Sequence, residues 1–254
     1  MLAANDKWLV KMNPMAEPKF RLFCFPYSGG AAHIYSQWPK RILQSVEVLA
    51  IQPPGRSNRF VEPLITDWRT MVSQIIPVMK PYLNVPFVLF GHSLGAAIAF
   101  EVCRQLEQEG FRPEAFFPSG RNAPHIKSKM KTMHLLSEEE FMAEIRTFNG
   151  TPTEVLENPE LMELMTPILR ADFTISETYT YETGPKLKAS IRAFGGEDDP
   201  HVKEEGVEGW QDYTEGSFAS VILHGDHFFI HGEASDFFAQ LNRFLEELDK
   251  QRNT

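Results

Sequence analysis

Cysteine is scarce in this sequence: Cys24 and Cys103 are the two in 254 residues. They sit in segments that read as a buried strand and a buried helix, which argues against a disulfide-stapled scaffold and fits core thiols in a reducing compartment. No apolar run is long enough to span a bilayer. The N-terminal stretch is broken by Asn5, Asp6 and Lys7 before an apolar run develops, so no secretory signal is expected; a cytoplasmic protein without membrane contact is the expectation. Positive charge is in deficit, with 25 Lys and Arg against 34 Asp and Glu and a formal net charge of −9. A nucleic-acid surface needs clustered cations to displace counterions from phosphates, so nucleic acid is not expected as a partner. Internal repeats and low-complexity tracts are absent.

The remainder is an ordinary globular balance, 43% hydrophobic and 23% charged, with enough apolar mass to bury a core without disulfides or metals. The length suits one large α/β domain carrying an insertion. From residue 20 onward, short β-rich runs alternate with helical patterns, the signature of a mostly parallel sheet covered on both faces. Strands are expected at Arg21 to Phe25, Val46 to Ile51, Phe87 to Phe90, Ala115 to Pro118, Ala189 to Phe194 and Phe218 to Leu223.

The helix after Ser93 is expected to end at Gly110 in a C′ position, with Glu101, Arg104, Gln105 and Gln108 on a polar face. A final helix places Phe237, Phe238, Leu241, Phe244, Leu245 and Leu248 on one apolar stripe. Between about residues 124 and 185 the β pattern disappears and helix starts follow one another, which reads as a helical lid between core segments of about 20–123 and 186–250. Ser137 with Glu140 forms a capping box, with Leu136 able to staple onto Phe141. Asn158-Pro159 and Thr166-Pro167 offer further starts.

Gly91-His92-Ser93-Leu94-Gly95 matches the nucleophile-elbow pattern and stands directly after an expected strand and before a helix, where that pattern places its serine. A serine hydroxyl must hand its proton to a base as it attacks, and the chain order serine, acid, histidine points to the loop after the last strand. His227 is favoured there over His224 and His231. The acid is expected in Gly195-Gly196-Glu197-Asp198-Asp199-Pro200, where Asp199 is favoured with Asp198 as its rival; its task is to orient the imidazole and stabilise the imidazolium. The backbone N–H of Leu94 supplies one oxyanion donor. The second comes from the turn Phe25-Pro26-Tyr27-Ser28-Gly29-Gly30, at Tyr27 or Ser28, with Tyr27 preferred.

These motifs, with Pro54-Gly55-Arg56, Phe148-Asn149-Gly150-Thr151-Pro152, Leu169-Arg170-Ala171-Asp172-Phe173 and Gly225-Asp226-His227-Phe228-Phe229, resemble the type II thioesterases of polyketide and nonribosomal peptide synthesis. They are also similar to medium-chain acyl carrier protein hydrolases. The resemblance covers nearly the whole chain and implies the α/β-hydrolase fold and hydrolysis of acyl groups from the phosphopantetheine thiol of acyl or peptidyl carrier proteins. It implies no metal or organic cofactor, and a monomer is expected. Carboxylesterase activity and a non-catalytic binding role are the rival readings. Asn149 stands where family members often carry glycine, and Gly225-Asp226 replaces the more usual Gly-Gly.

Carrier domains are usually acidic and so is this chain, so encounter needs a local basic patch. Lys127, Lys129 and Lys131 form one candidate cluster for the carrier or the pantetheine phosphate, and Arg56 with Arg59 forms the other. Phe141, Ile145, Leu161, Met165 and Leu169 either line an acyl chamber or pack the lid onto itself.

Overall fold

A computed structural model describes residues 7–126, 132–148, 150, 153–232 and 236–252. Its strands are β1 (Leu9–Lys11), β2 (Phe20–Phe25), β3 (Val46–Ile51), β4 (Phe87–His92), β5 (Ala115–Ser119), β6 (Ser190–Gly196) and β7 (Phe218–Leu223). They form one seven-stranded sheet in the order β1-β3-β2-β4-β5-β6-β7. All neighbours run parallel except β1, which lies antiparallel on β3 with Leu9 opposite Ile51. The expected α/β-hydrolase architecture is what the chain adopts.

Parallel strands buried on both faces read as continuous apolar runs, and β2 shows how that builds two cores. Phe23 and Phe25 point to the face covered by α1 (Trp68–Met79) and α2 (Leu94–Gln108), while Leu22 and Cys24 point to the face covered by the C-terminal helix. Cys103 belongs to the first layer. The two free thiols are therefore on opposite sides of the sheet, out of reach of a disulfide. The apolar stripe of the C-terminal helix is buried at all six of its expected positions.

Three details differ from the expected layout. The core begins before residue 20, because Trp8 and Leu9 are buried and β1 pairs on the sheet edge; three residues are too few to show a period-2 pattern. Glu101 is not on a solvated face: it is 6% exposed, pairs with Arg104 at 2.9 Å and accepts from the Tyr179 hydroxyl at 2.6 Å. Thr166-Pro167 opens no helix.

Between β5 and β6 the chain forms α3 (Glu138–Ile145), the single turn α4 (Thr153–Leu156) and the long α5 (Pro159–Thr178). Asn158 caps α5, and Pro167 lies inside it, with the Thr166 hydroxyl bonded to the Met162 carbonyl at 2.7 Å. That side-chain bond seats Thr166 on the preceding turn, while Pro167 supplies no N–H to the Glu163 carbonyl and the helix continues past it. The Ser137–Glu140 capping box starts α3. Met133, Phe141, Ile145, Met162 and Leu169 form a small core of the lid's own. After β6 come the short α6 (Glu204–Glu208) and finally α7 (Phe237–Arg252).

The order places the topological switch between β2 and β4: from β2 the chain builds outward to β3, then returns to the other side. Ligands of open α/β sheets bind at the carboxyl ends of the strands flanking such a point. Gly95, in the first turn of α2, crosses the end of β2 so closely that a Cβ there collides with the Phe25 carbonyl. Gly95→Ala is expected to cost at least about 2 kcal/mol through forced backbone displacement, measured by urea denaturation; an unchanged midpoint refutes this account of the crossing.

Candidate active site

Ser93 follows the last residue of β4 and precedes the first of α2, with φ 53° and ψ −116°. A non-glycine residue is strained in this region and is held there by its surroundings. Here the constraint is the tight strand-to-helix turn, closed by the Ser93 N–H donating to the Ser119 carbonyl at 2.8 Å and made possible by Gly91 and Gly95, where a Cβ meets backbone. Leu94 is the first helical residue, so its N–H has no intrahelical acceptor.

His227 lies in the loop after β7. Its Nδ1 donates to Asp199 Oδ2 at 2.6 Å, which leaves Nε2 as the nitrogen able to accept a proton. Asp199 is fully buried, and its other oxygen accepts the N–H groups of His201 at 2.8 Å and Val202 at 3.1 Å. Burial alone pushes this carboxyl's pKa up, but the hydrogen bonds from His227, His201 and Val202 outweigh it and hold the group below the usual aspartate range. Asp198 is exposed, and Glu197 faces His224 at 3.5 Å in solvent. The structure thus brings Asp199, not Asp198, to His227.

Ser93, His227 and Tyr27 line one cavity of about 440 Å³ between the carboxyl ends of the strands and the lid, and Ser28 lines it as well. Of the five apolar lid residues, Ile145 and Leu169 line this cavity. Phe141 is packed in the lid core, Met165 lies against the same core, and Leu161 is 41% exposed. The Tyr27 ring packs edge-on against His92 and Phe228, and its hydroxyl meets His231 Nε2 at 3.0 Å. Burial pushes this phenol up to about 12. The departure at Asp226 serves the loop, since its carboxylate accepts the Phe228 N–H at 2.8 Å.

Arg56 and Arg59 are not the surface cations expected from the sequence. Arg59 is 4% exposed, bonded to the Gln52 carbonyl and Glu62 and stacked over Trp8. Arg56 makes a two-pronged pair with Asp172 of α5, Nη1 to Oδ2 at 2.6 Å and Nη2 to Oδ1 at 2.8 Å. Burying either guanidinium is tolerable only with such partners, and neither is available to a carrier. Lys127, Lys129 and Lys131 lie outside the described residues, as does Asn149.

Sequence reasoning missed the role of Asp172. Its Oδ2 also accepts the Gly29 N–H at 2.7 Å, and Arg56 Nη1 reaches the Gly30 carbonyl at 3.1 Å. The pair therefore clamps the lid helix to the turn that carries Tyr27. His201 also lines the cavity and stacks on Phe148, with centroids 5.1 Å apart.

The thioesterase domain family matches residues 20–248. The chain belongs to the thioesterase family. It is 41% identical over 95% of its length to the linear gramicidin dehydrogenase LgrE of Brevibacillus parabrevis, covering 93% of that protein. To the gramicidin S biosynthesis protein GrsT of Aneurinibacillus migulanus it is 39% identical, covering 89% of each chain. The solved structure of the type II thioesterase BorB, from the borrelidin biosynthetic cluster, superposes with a TM-score of 0.79 at 35% identity, covering 88% of this chain and 89% of that one. The name of LgrE reads as a dehydrogenase, yet this thioesterase-family sequence carries no Gly-x-Gly-x-x-Gly dinucleotide fingerprint.

Asp172→Ala leaves a buried arginine uncompensated and is expected to cost about 3–5 kcal/mol, measured by chemical denaturation; a loss below 1 kcal/mol contradicts the clamp. Asp199 contributes stability that is complete above its unfolded pKa, near 4, and is lost as pH falls toward its lower folded pKa. Asp199→Asn is accordingly expected to flatten the rise of unfolding free energy with pH below about pH 4, and an identical slope in both proteins contradicts this.

Proposed function

We propose that this thioesterase-family protein is an editing type II thioesterase, which removes acyl groups from the phosphopantetheine thiol of carrier proteins in a nonribosomal peptide or polyketide system. The observation that carries the reading is the 2.6 Å contact of His227 with buried Asp199 on the cavity that Ser93 also lines. The named pathways of its relatives support the carrier-bound substrate.

In the proposed chemistry the Ser93 Oγ attacks the thioester carbonyl while its proton passes to His227 Nε2. The C–O bond forms, the oxyanion is held by the N–H groups of Leu94 and Tyr27, and collapse breaks the C–S bond. His227 returns the proton to the departing thiolate. Water then attacks the acyl-serine, His227 takes its proton and delivers it to Ser93 Oγ, and the free acid leaves. Asp199 keeps Nδ1 protonated throughout and stabilises the imidazolium. No metal or organic cofactor enters the scheme. The clamp at Asp172 fixes the turn bearing Tyr27, so it acts as a positioning element for the oxyanion donors. A polar stretch of cavity wall, with Arg121, Asn122, Ser176 and Glu177, favours short or polar acyl groups over medium-length fatty chains.

The test is intact-mass monitoring of an acetyl-loaded carrier protein beside acetyl-CoA. Loss from the carrier faster than from CoA is expected, with Ser93→Ala reducing kcat by roughly 10³-fold or more. Equal rates on both substrates refute carrier editing, and undiminished turnover by Ser93→Ala refutes the serine mechanism.

A further inference from the structure

Arg121 is a cation without an anion. It follows β5 and lines the same cavity as Ser93 and His227, yet among the described residues it forms no ion pair. Its Nη1 donates to Ser176 Oγ at 2.7 Å and its Nη2 to the Ser176 carbonyl at 3.3 Å. A guanidinium carries five N–H donors, so among the described residues most remain unengaged by protein oxygen. Burial pushes its pKa down, with Tyr179 the one neighbour that favours the charge. Near the lid, Arg56 and Arg104 each have a carboxylate, while Arg170 of α5 is held by the His134 and Leu136 carbonyls and the Phe141 ring, away from the cavity. Arg121 alone of these lines the cavity, and there its guanidinium faces neutral oxygens and, at 5.9 Å, the Tyr179 ring, a set that an anion brought in from outside would complete.

Ser176 supports the same reading. The other hydroxyl residues along α5, Thr166, Thr174 and Thr178, donate back to carbonyls one turn earlier. Ser176 does not; its oxygen accepts from Arg121, and its own O–H has no protein acceptor among the described residues. Two donors of different chemistry thus meet at one point of the wall. Glu177, the carboxylate in the same wall, is already engaged by the N–H groups of Met133 and His134 and by the His134 ring. The Trp210 Nε1–H holds the Arg121 carbonyl at 2.9 Å and fixes the backbone from which the side chain projects.

The position decides which anion. The Ser93 N–H is bonded to the Ser119 carbonyl, and Arg121 is two residues further on, past the bend at Gly120 with φ 57°, so its Cα lies within on the order of 10 Å of the serine. A pantetheine arm, with two amide units and their linkers, spans on the order of 15 Å when extended, which places its phosphate outside the chamber. The group within reach is on the acyl side of the thioester. We infer that Arg121 and the Ser176 hydroxyl bind a carboxylate on the acyl group, so that monothioesters of short dicarboxylic acids are preferred substrates. This inference rests on the thioesterase reading and adds a substrate class to it.

The experiment compares malonyl, succinyl and glutaryl thioesters of N-acetylcysteamine, which carry no phosphate, with the propionyl, butyryl and valeryl esters of matching length. The wild-type protein is expected to show kcat/KM at least as high for one dicarboxylic member as for its neutral partner. In Arg121→Met the ratio of dicarboxylic to neutral kcat/KM falls about 10- to 100-fold, and in Ser176→Ala it falls less. Arg121→Lys, which keeps the charge, restores part of the ratio. Neutral esters turned over tenfold faster by wild type, or a ratio unchanged in Arg121→Met, overturns the inference and leaves the thioesterase reading standing. An equal loss in Arg121→Met on every carrier-bound acyl group, without loss on the N-acetylcysteamine esters, assigns the arginine to the pantetheine phosphate and also overturns it. Absence of Ser93-dependent turnover of any thioester sinks both.

Discussion

The buried pair between Arg56 and Asp172 is the constraint on which the upper half of the molecule depends. One carboxylate receives two guanidinium nitrogens and the Gly29 N–H, and the same guanidinium reaches the Gly30 carbonyl. Three segments far apart in sequence, the turn after β2, the turn after β3 and the middle of α5, therefore share one polar knot in an otherwise apolar setting. Low local dielectric makes such a knot strong when complete and costly when broken. Further down α5, Ser176 meets Arg121 and Tyr179 meets Glu101. These bonds tie the lid's long helix to the core along one side and leave α3 packed on the lid's own apolar cluster.

Beneath that knot, the site depends on strain at Ser93. The elbow requires close passage of α2 over β2, which glycines at 91 and 95 allow, and the parallel sheet supplies rigid strand ends on which to build it. Asp199 and His227 hang from the loops after β6 and β7 along the same edge, and the Asp199 hydrogen bonds hold the carboxylate ionised where burial opposes charge. Backbone geometry, a buried acid and an edge-on ring cluster around Tyr27 converge on the carboxyl ends of the strands. That is where the switch in strand order opens a crevice.

The parallel strands were legible because strands buried on both faces leave continuous apolar runs; β1 was not, because three residues show no period and its place comes from pairing with β3. His227 could be located by chain order. Asp199 could be preferred over Asp198 but not separated from it by composition, since adjacent residues differ only in the direction the loop gives them. The Arg56–Asp172 pair was invisible because its members are 116 positions apart, and a charged residue in a polar motif reads by default as surface. The same default turned Arg56 and Arg59 into a docking patch. Thr166-Pro167 misled because a proline after threonine looks like a start, while in a packed helix the threonine hydroxyl bonds back one turn and the helix continues.

The placement of the site residues along the chain has a consequence for synthesis. Ser93 and the turn at Tyr27 belong to the first strands made, while Asp199 and His227 come after the lid, well over a hundred residues beyond the serine in the case of the histidine. Long-range pairings of this kind form late, and a domain completes its fold only once its last elements leave the ribosome. A nascent chain that stops anywhere before β7 can hold a strained serine but lacks His227, the base of the proposed mechanism. The molecule thus carries a built-in delay: its site is incomplete until β7 and the loop bearing His227 have been made and have joined the sheet.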